Sequence, residues 1–133
     1  MAKLVLTNSN VTLSGTDIST NVASVTLQTS VNEVETTAFG AGGTTRVGGL
    51  RDDSITLDIH QDFSSVEALV WPLLGSTATI VVKPNGTAVS ATNPSYTGTV
   101  LINDWSPISG AVGELATVSV TWPISGTVTR ATS

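Results

Sequence analysis

Period-two alternation of apolar and polar residues recurs along this 133-residue chain and predicts a mainly β fold. The cleanest case is 54–62, where Ile55, Leu57 and Ile59 fall on one side and Thr56, Asp58 and His60 on the other. Successive side chains of a strand point to opposite faces, so one face is core and the other meets water or a lumen. The pattern repeats over 22–30, with Val25 and Leu27 opposed to Ser24, Thr26 and Gln28. This strand is expected to pair beside 54–62 and to continue through Glu33, Val34 and Glu35 to Thr37, its phase disturbed near Ser30. Further strands are predicted at 3–7, 10–14, 77–83, 96–105 and 114–122, the last with Ala116, Val118, Val120 and Trp122 inward. A short edge strand at 127–130 completes the set.

One segment has the helical period instead. Val66, Leu69, Val70 and Leu73 form an apolar stripe at three- and four-residue spacing. Ser64 and Glu67 have capping-box spacing, Pro72 limits the regular helix to about three turns, and Gly75 supplies a stop. The stretch 84–94 is polar turn and loop, and 107–113 is a turn region. The sum is about seven or eight strands and one short α-helix in a single domain over 1–133, a β-sandwich or partly closed barrel with the helix packed on one side.

Between Thr37 and Arg51 both periods fail. Phe39, Gly40, Gly42, Gly43, Arg46, Val47, Gly48, Gly49 and Leu50 belong to a glycine-rich run that reads as a long mobile loop between two strands. Loops of this length inside a compact domain are uncommon and usually functional. Phe39, Val47 and Leu50 are its apolar anchors.

Composition narrows the function classes. Lys and Arg number 5 against 10 Asp and Glu, and the formal net charge is −5. Proteins that grip nucleic acid cluster basic groups against phosphates; here Lys3, Arg46, Arg51, Lys83 and Arg130 are scattered. The absence of cysteine rules out disulfides and thiolate metal sites. The apolar run at 4–6 is too short for a signal peptide, and no stretch reaches membrane-spanning length. Low charge with abundant Thr, Ser, Val and Gly suits a β protein that covers much of its surface with copies of itself.

Candidate chemistry is thin. Asp58, His60 and Asp62 alternate onto one strand face, but positions two apart lie roughly 7 Å apart, an awkward span for three ligands of one ion. A solvated polar face is the expectation. Asp52-Asp53 follows Arg51 in a polar loop margin, so both carboxylates are expected in water. Neither a nucleophile elbow nor a phosphate-binding glycine loop is present. Trp71, Trp105 and Trp122 could form a sugar platform, although core or interface anchoring is the commoner use. No catalytic residue, metal or cofactor is expected.

Three stretches carry a resemblance. Val34-Glu35-Thr36-Thr37-Ala38-Phe39-Gly40, the glycine-rich run, and Gly49-Leu50-Arg51-Asp52-Asp53 follow one another as an acidic "E/D-x-T-T-x-F-G" strand end, a long loop and a "G-L-x-D" turn. The apolar helix follows, and Gly113-Glu114 through Ser119-Val120 to Ser125-Gly126 resembles a "G-D-x-x-x-x-S-V-x-F-x-x-S-G" ending. Over roughly residues 20–130 this order resembles the tail tube (major tail) proteins of long-tailed phages. The resemblance implies a non-enzymatic virion protein, made in the host cytoplasm, whose hexameric rings stack into a hollow helical tube. The long loop would reach a neighbouring ring. Tape measure, tail terminator and baseplate proteins would be its partners, with DNA passing the lumen without specific binding and no membrane involved. Thr56, Asp58 and His60 would then face the lumen. Related alternatives are a capsid cement, head–tail joining or tail terminator protein; a carbohydrate-binding β-sandwich is the more distant one.

Overall fold

A computed structural model describes residues 5–133 and has the mainly β, sandwich-like architecture that the alternation predicts, with no closed barrel. In chain order the strands are β1 (Asn10–Leu13), β2 (Thr16–Asp17), β3 (Val22–Gln28), β4 (Val31–Glu35), β5 (Arg46–Arg51), β6 (Ser54–His60), β7 (Thr77–Lys83), β8 (Ser95–Leu101), β9 (Thr117–Pro123) and β10 (Thr129–Ala131). Helix α1 (Val66–Val70) lies between β6 and β7 and tightens into a 3₁₀ turn over Trp71–Leu73, where Pro72 removes an amide donor. These strands form a five-stranded sheet ordered β10-β8-β7-β1-β2, a three-stranded sheet ordered β3-β6-β9, and a two-stranded sheet of β4 and β5.

The two larger sheets enclose the core. Central β6 gives it Ile55, Leu57 and Ile59, all 0% exposed, and β9 gives Val118, Val120 and Trp122. Val11, Leu13, Ile80, Val82 and Val100 come from the five-stranded sheet. Val66 and Val70 of α1 are fully buried, with Leu69 and Leu73 packed behind them, so the helical stripe covers one end of the core as its spacing predicts. Gly75 ends the segment with φ at +87°, a conformation that favours glycine.

Strand β8 starts beside β3 and ends beside β9. Tyr96 lines the same cleft as Val25 and Leu27, whereas Val100 bridges Ile124 just beyond β9. The large sheet therefore runs across the small one, in the manner of crossed sheet packing. The β9 flank is stitched by the Val100–Ile124 bridge and by the Ser125 amide donating to the Thr99 carbonyl at 2.7 Å. On the β3 flank the sheets part, and Leu6, Ser9, Val25, Leu27, Val82 and Tyr96 line an open cleft.

Several expected boundaries move, each for a local reason. In the strand expected at 3–7, Lys3 and Leu4 lie outside the described residues, and Val5, Leu6 and Thr7 are not in a strand. The continuous strand from 22 to 37 breaks at Thr29-Ser30 into β3 and β4, which belong to different sheets. Strand β8 ends at Leu101, because Asn103 bonds back to the Leu101 carbonyl and the chain turns away; Trp105 lies beyond it. Strand β9 begins at Thr117, which leaves Glu114, Leu115 and Ala116 outside the strand, with Ala116 exposed and not inward. The capping box is absent: the Asp62 carboxylate accepts from the Ser64 amide and hydroxyl at 2.9 and 2.7 Å, and the Glu67 amide donates to the Asp62 carbonyl. Asp62 thus ends the β6–α1 turn and does not continue the β6 face.

Candidate interaction surfaces

The glycine-rich segment is a hairpin, where the sequence reads as a mobile loop. Arg46, Val47, Gly48, Gly49 and Leu50 are strand residues of β5, paired with β4 in the register Glu35↔Arg46, Val34↔Val47 and Glu33↔Gly48. Phe39, Gly40, Gly42 and Gly43 occupy the connection at its tip. Two of the glycines serve close packing and not mobility. A Cβ on Gly49 would stand 2.9 Å from Val34 Cγ2 and 3.1 Å from the Asn32 carbonyl, and one on Gly48 would stand 3.1 Å from Val31 Cγ1. This crowding falls where the register shifts between Val31 and Glu33, as at a β-bulge. Threonines lock the far end: the Thr36 amide donates to the Thr45 carbonyl at 2.8 Å, and the Thr45 amide to the Thr37 hydroxyl at 2.9 Å. Glu33 and Arg46 form an ion pair across the strands.

Every residue of β4 and β5 is exposed. The apolar ones include Val31 at 54%, Val34 at 46%, Val47 at 53%, Leu50 at 81% and Phe39 at 110% exposure. A two-stranded hairpin alone is marginal in water, and a contiguous apolar patch of this kind marks an interaction site.

The hairpin is anchored at its root. Asp53 is 0% exposed, against the expectation of a solvated carboxylate. Its Oδ1 accepts from the Ser30 amide at 3.2 Å, and its Oδ2 from the Val128 amide at 3.2 Å and Arg51 at 2.8 Å. Its carbonyl accepts the Ile124 amide at 2.8 Å. Ser30 and Asp52 close the neck, with the Asp52 amide donating to the Ser30 carbonyl at 2.9 Å and the Ser30 hydroxyl to the Asp52 carbonyl at 2.6 Å. A motif search could have flagged "R-D-D" as a turn, but only the fold brings Val128 to it.

The outer face of the three-stranded sheet is the second surface. Register places Ser24, Asp58 and Ser119 in one row and Thr26, Thr56 and Thr121 in the next, with His60 beside Thr117. The Thr56 and Thr121 hydroxyls lie 3.1 Å apart. The result is a hydroxyl-rich face with one carboxylate, one imidazole and no lysine or arginine. Thr56, Asp58 and His60 do share this face, and β3 pairs beside them as expected. Among the described residues no group of three His, Asp or Glu could hold a metal ion.

The third surface went unseen in the sequence. At the His60 end of the small sheet, the segment leading into β9 exposes Ile108 (86%), Val112 (105%) and Leu115 (64%), and Phe63 (58%) stands across from it. Gln61, Phe63, Pro107, Ile108 and Ala111 line a hollow of about 320 Å³ there. The signal was present: three large apolar residues in a Gly- and Pro-rich turn have no reason to be there unless something covers them.

The tryptophans do not make a platform. Trp105 and Trp122 are buried with ring centroids 6.4 Å apart, and the Trp122 indole donates to the Asp104 carbonyl at 2.8 Å, leaving Trp71 alone half exposed. Two carboxyls are held below the usual aspartate range, each by the hydroxyl and then the amide of a nearby serine: Asp17 by Ser19 and Asp62 by Ser64. Both close local turns and neither lies in a cleft fit for catalysis. Among the described residues no helix is long and apolar enough to cross a membrane. Compared with known proteins, the chain matches no protein-family model and no curated protein.

Proposed function

We propose that this chain is a structural subunit that assembles with copies of itself, and that the assembly is a phage tail tube of stacked hexameric rings. The observation that carries the reading is the β4–β5 hairpin: an ordered, strand-paired arm with exposed valines, Leu50 and Phe39, standing on a buried Asp53 root. An arm of this kind offers a neighbour apolar area and unpaired strand edges. The resemblance in residues 34–58 and 113–126 adds the tail tube to this general picture, and places the arm between rings. The hydroxyl-rich face of β3, β6 and β9 suits a lumen, since it carries Asp58 and nothing that grips phosphate. Virion localisation, and tape measure, terminator and baseplate partners, belong to the same proposal.

Negative-stain microscopy of the purified chain, alone and as released from its native particle, tests it. Hollow filaments or rings of six are expected. A chain that stays monomeric in both settings overturns the reading. Excising 31–51 and closing the gap with a short Gly-Ser link is expected to leave the body folded and to prevent stacking.

A further inference from the structure

The hairpin root and the apolar hollow lie at opposite ends of one sheet. Asp53 precedes Ser54 at one end of β6, while Gln61 and Phe63 follow His60 at the other, roughly 20 Å away by strand rise. Two different apolar surfaces at opposite poles of one molecule cannot satisfy each other within it. They can do so between copies related head to tail, and such a contact propagates as an open filament.

Two further observations fit the hollow to the hairpin. Gln61 Nε2 donates to the Pro107 carbonyl at 2.7 Å, while its Oε1 is buried with no donor. A buried acceptor without a partner is costly, so the occupant has to bring an N–H or O–H along with its apolar group. The hairpin tip has both: Phe39 wholly exposed, and beside it the backbone amides and threonine hydroxyls of 36–45. Charge agrees as well. The hollow's pole carries Asp62, Glu67 and Glu114 with no described lysine or arginine beside them, whereas Arg46, Arg51 and Arg130 lie at the hairpin pole. Head-to-tail packing brings the acidic end of one copy to the arginines of the next.

We propose that the Gln61–Phe63–Ile108 hollow is the receptor for the Phe39 tip of a second copy's hairpin. The ring of Phe39 enters between Phe63, Pro107 and Ile108, and a donor from the tip reaches Gln61 Oε1. This inference rests on the assembly reading above and names the partner surface that reading leaves open.

The cysteine-free chain makes the test direct. Phe39→Cys and Ile108→Cys, combined in one chain and oxidised mildly after assembly, are expected to give a ladder of disulfide-linked multimers on a denaturing gel. Mixed single variants should give crosslinked dimers of the two different chains, because a disulfide forms only where Cα atoms approach within about 7 Å. Ile108→Asp alters an exposed side chain, so the melting temperature of the monomer should hold while the assembled fraction falls at least tenfold. Filaments without the crosslink, or normal assembly of Ile108→Asp, overturn this receptor and leave the assembly reading standing. A chain that never assembles overturns both.

Discussion

Arg51 places a guanidinium nitrogen 2.8 Å from Oδ2 of Asp53, joining the last residue of the exposed hairpin to a carboxylate that is itself fully buried. The same carboxylate holds the Ser30 and Val128 amides, so one side chain fixes where the hairpin leaves the body. An arm that must find a neighbour benefits from such a root, because a fixed exit direction lowers the entropy lost on docking.

Removing that carboxylate has a defined consequence. Asp53→Ala strands two amides and a guanidinium, and the expected loss of stability is about 3 kcal/mol, from the typical penalty for unsatisfied buried partners. Chemical denaturation measures it. Amide exchange of β4 and β5 should rise further than that of β6, and a loss below about 1 kcal/mol would remove Asp53 from this role.

Gly49 tests whether the hairpin's glycines serve packing. Gly49→Val forces a Cβ against Val34 Cγ2 and the Asn32 carbonyl, where 2.9 and 3.1 Å are available. The core does not touch this residue, so the melting transition of the body should move little. Exchange protection at Val34 and Val47 should be lost, along with assembly. Retained protection would mean that the strands adjust to the added bulk.

Asp58 tests the lumen assignment. It is exposed on the outer face beside Ser24 and Ser119, so Asp58→Lys should leave folding and ring formation intact. A lysine there would hold phosphates, and slower genome delivery from otherwise normal particles is the expected outcome. Failed assembly would instead place this face between subunits.

Acid sensitivity follows from Asp17. The Ser19 hydroxyl and amide hold its carboxyl below the ordinary value of 3.8. A group whose folded value is depressed stabilises the fold fully above its unfolded value, and that contribution fades as pH falls through 3.8 toward the folded one. Solvent reaches this turn, so the effect is small. Asp17→Asn should be slightly less stable than the parent near neutral pH and equal to it at about pH 2, as thermal melts across that range would show. A gap that persists in acid would assign the effect to packing.

The sequence by itself determined the faces of the strands. Ile55, Leu57 and Ile59 alternate with Thr56, Asp58 and His60 because a pleat has period two, and the structure buries the first set and exposes the second. It determined the α1 stripe for the same kind of reason. Only the tertiary structure decided what lies far apart in the chain yet close in space: Val128 on Asp53, the crossing of β8 from Tyr96 beside β3 to Val100 beside Ile124, and the Phe63–Ile108 hollow. It also turned the glycine run into a hairpin. Gly48 and Gly49 look permissive as letters, and become strand residues once β4 lies alongside and leaves no space for a side chain. Local patterning is set by the geometry of the backbone, whereas contacts between distant segments depend on which pairings bury the most apolar surface at once.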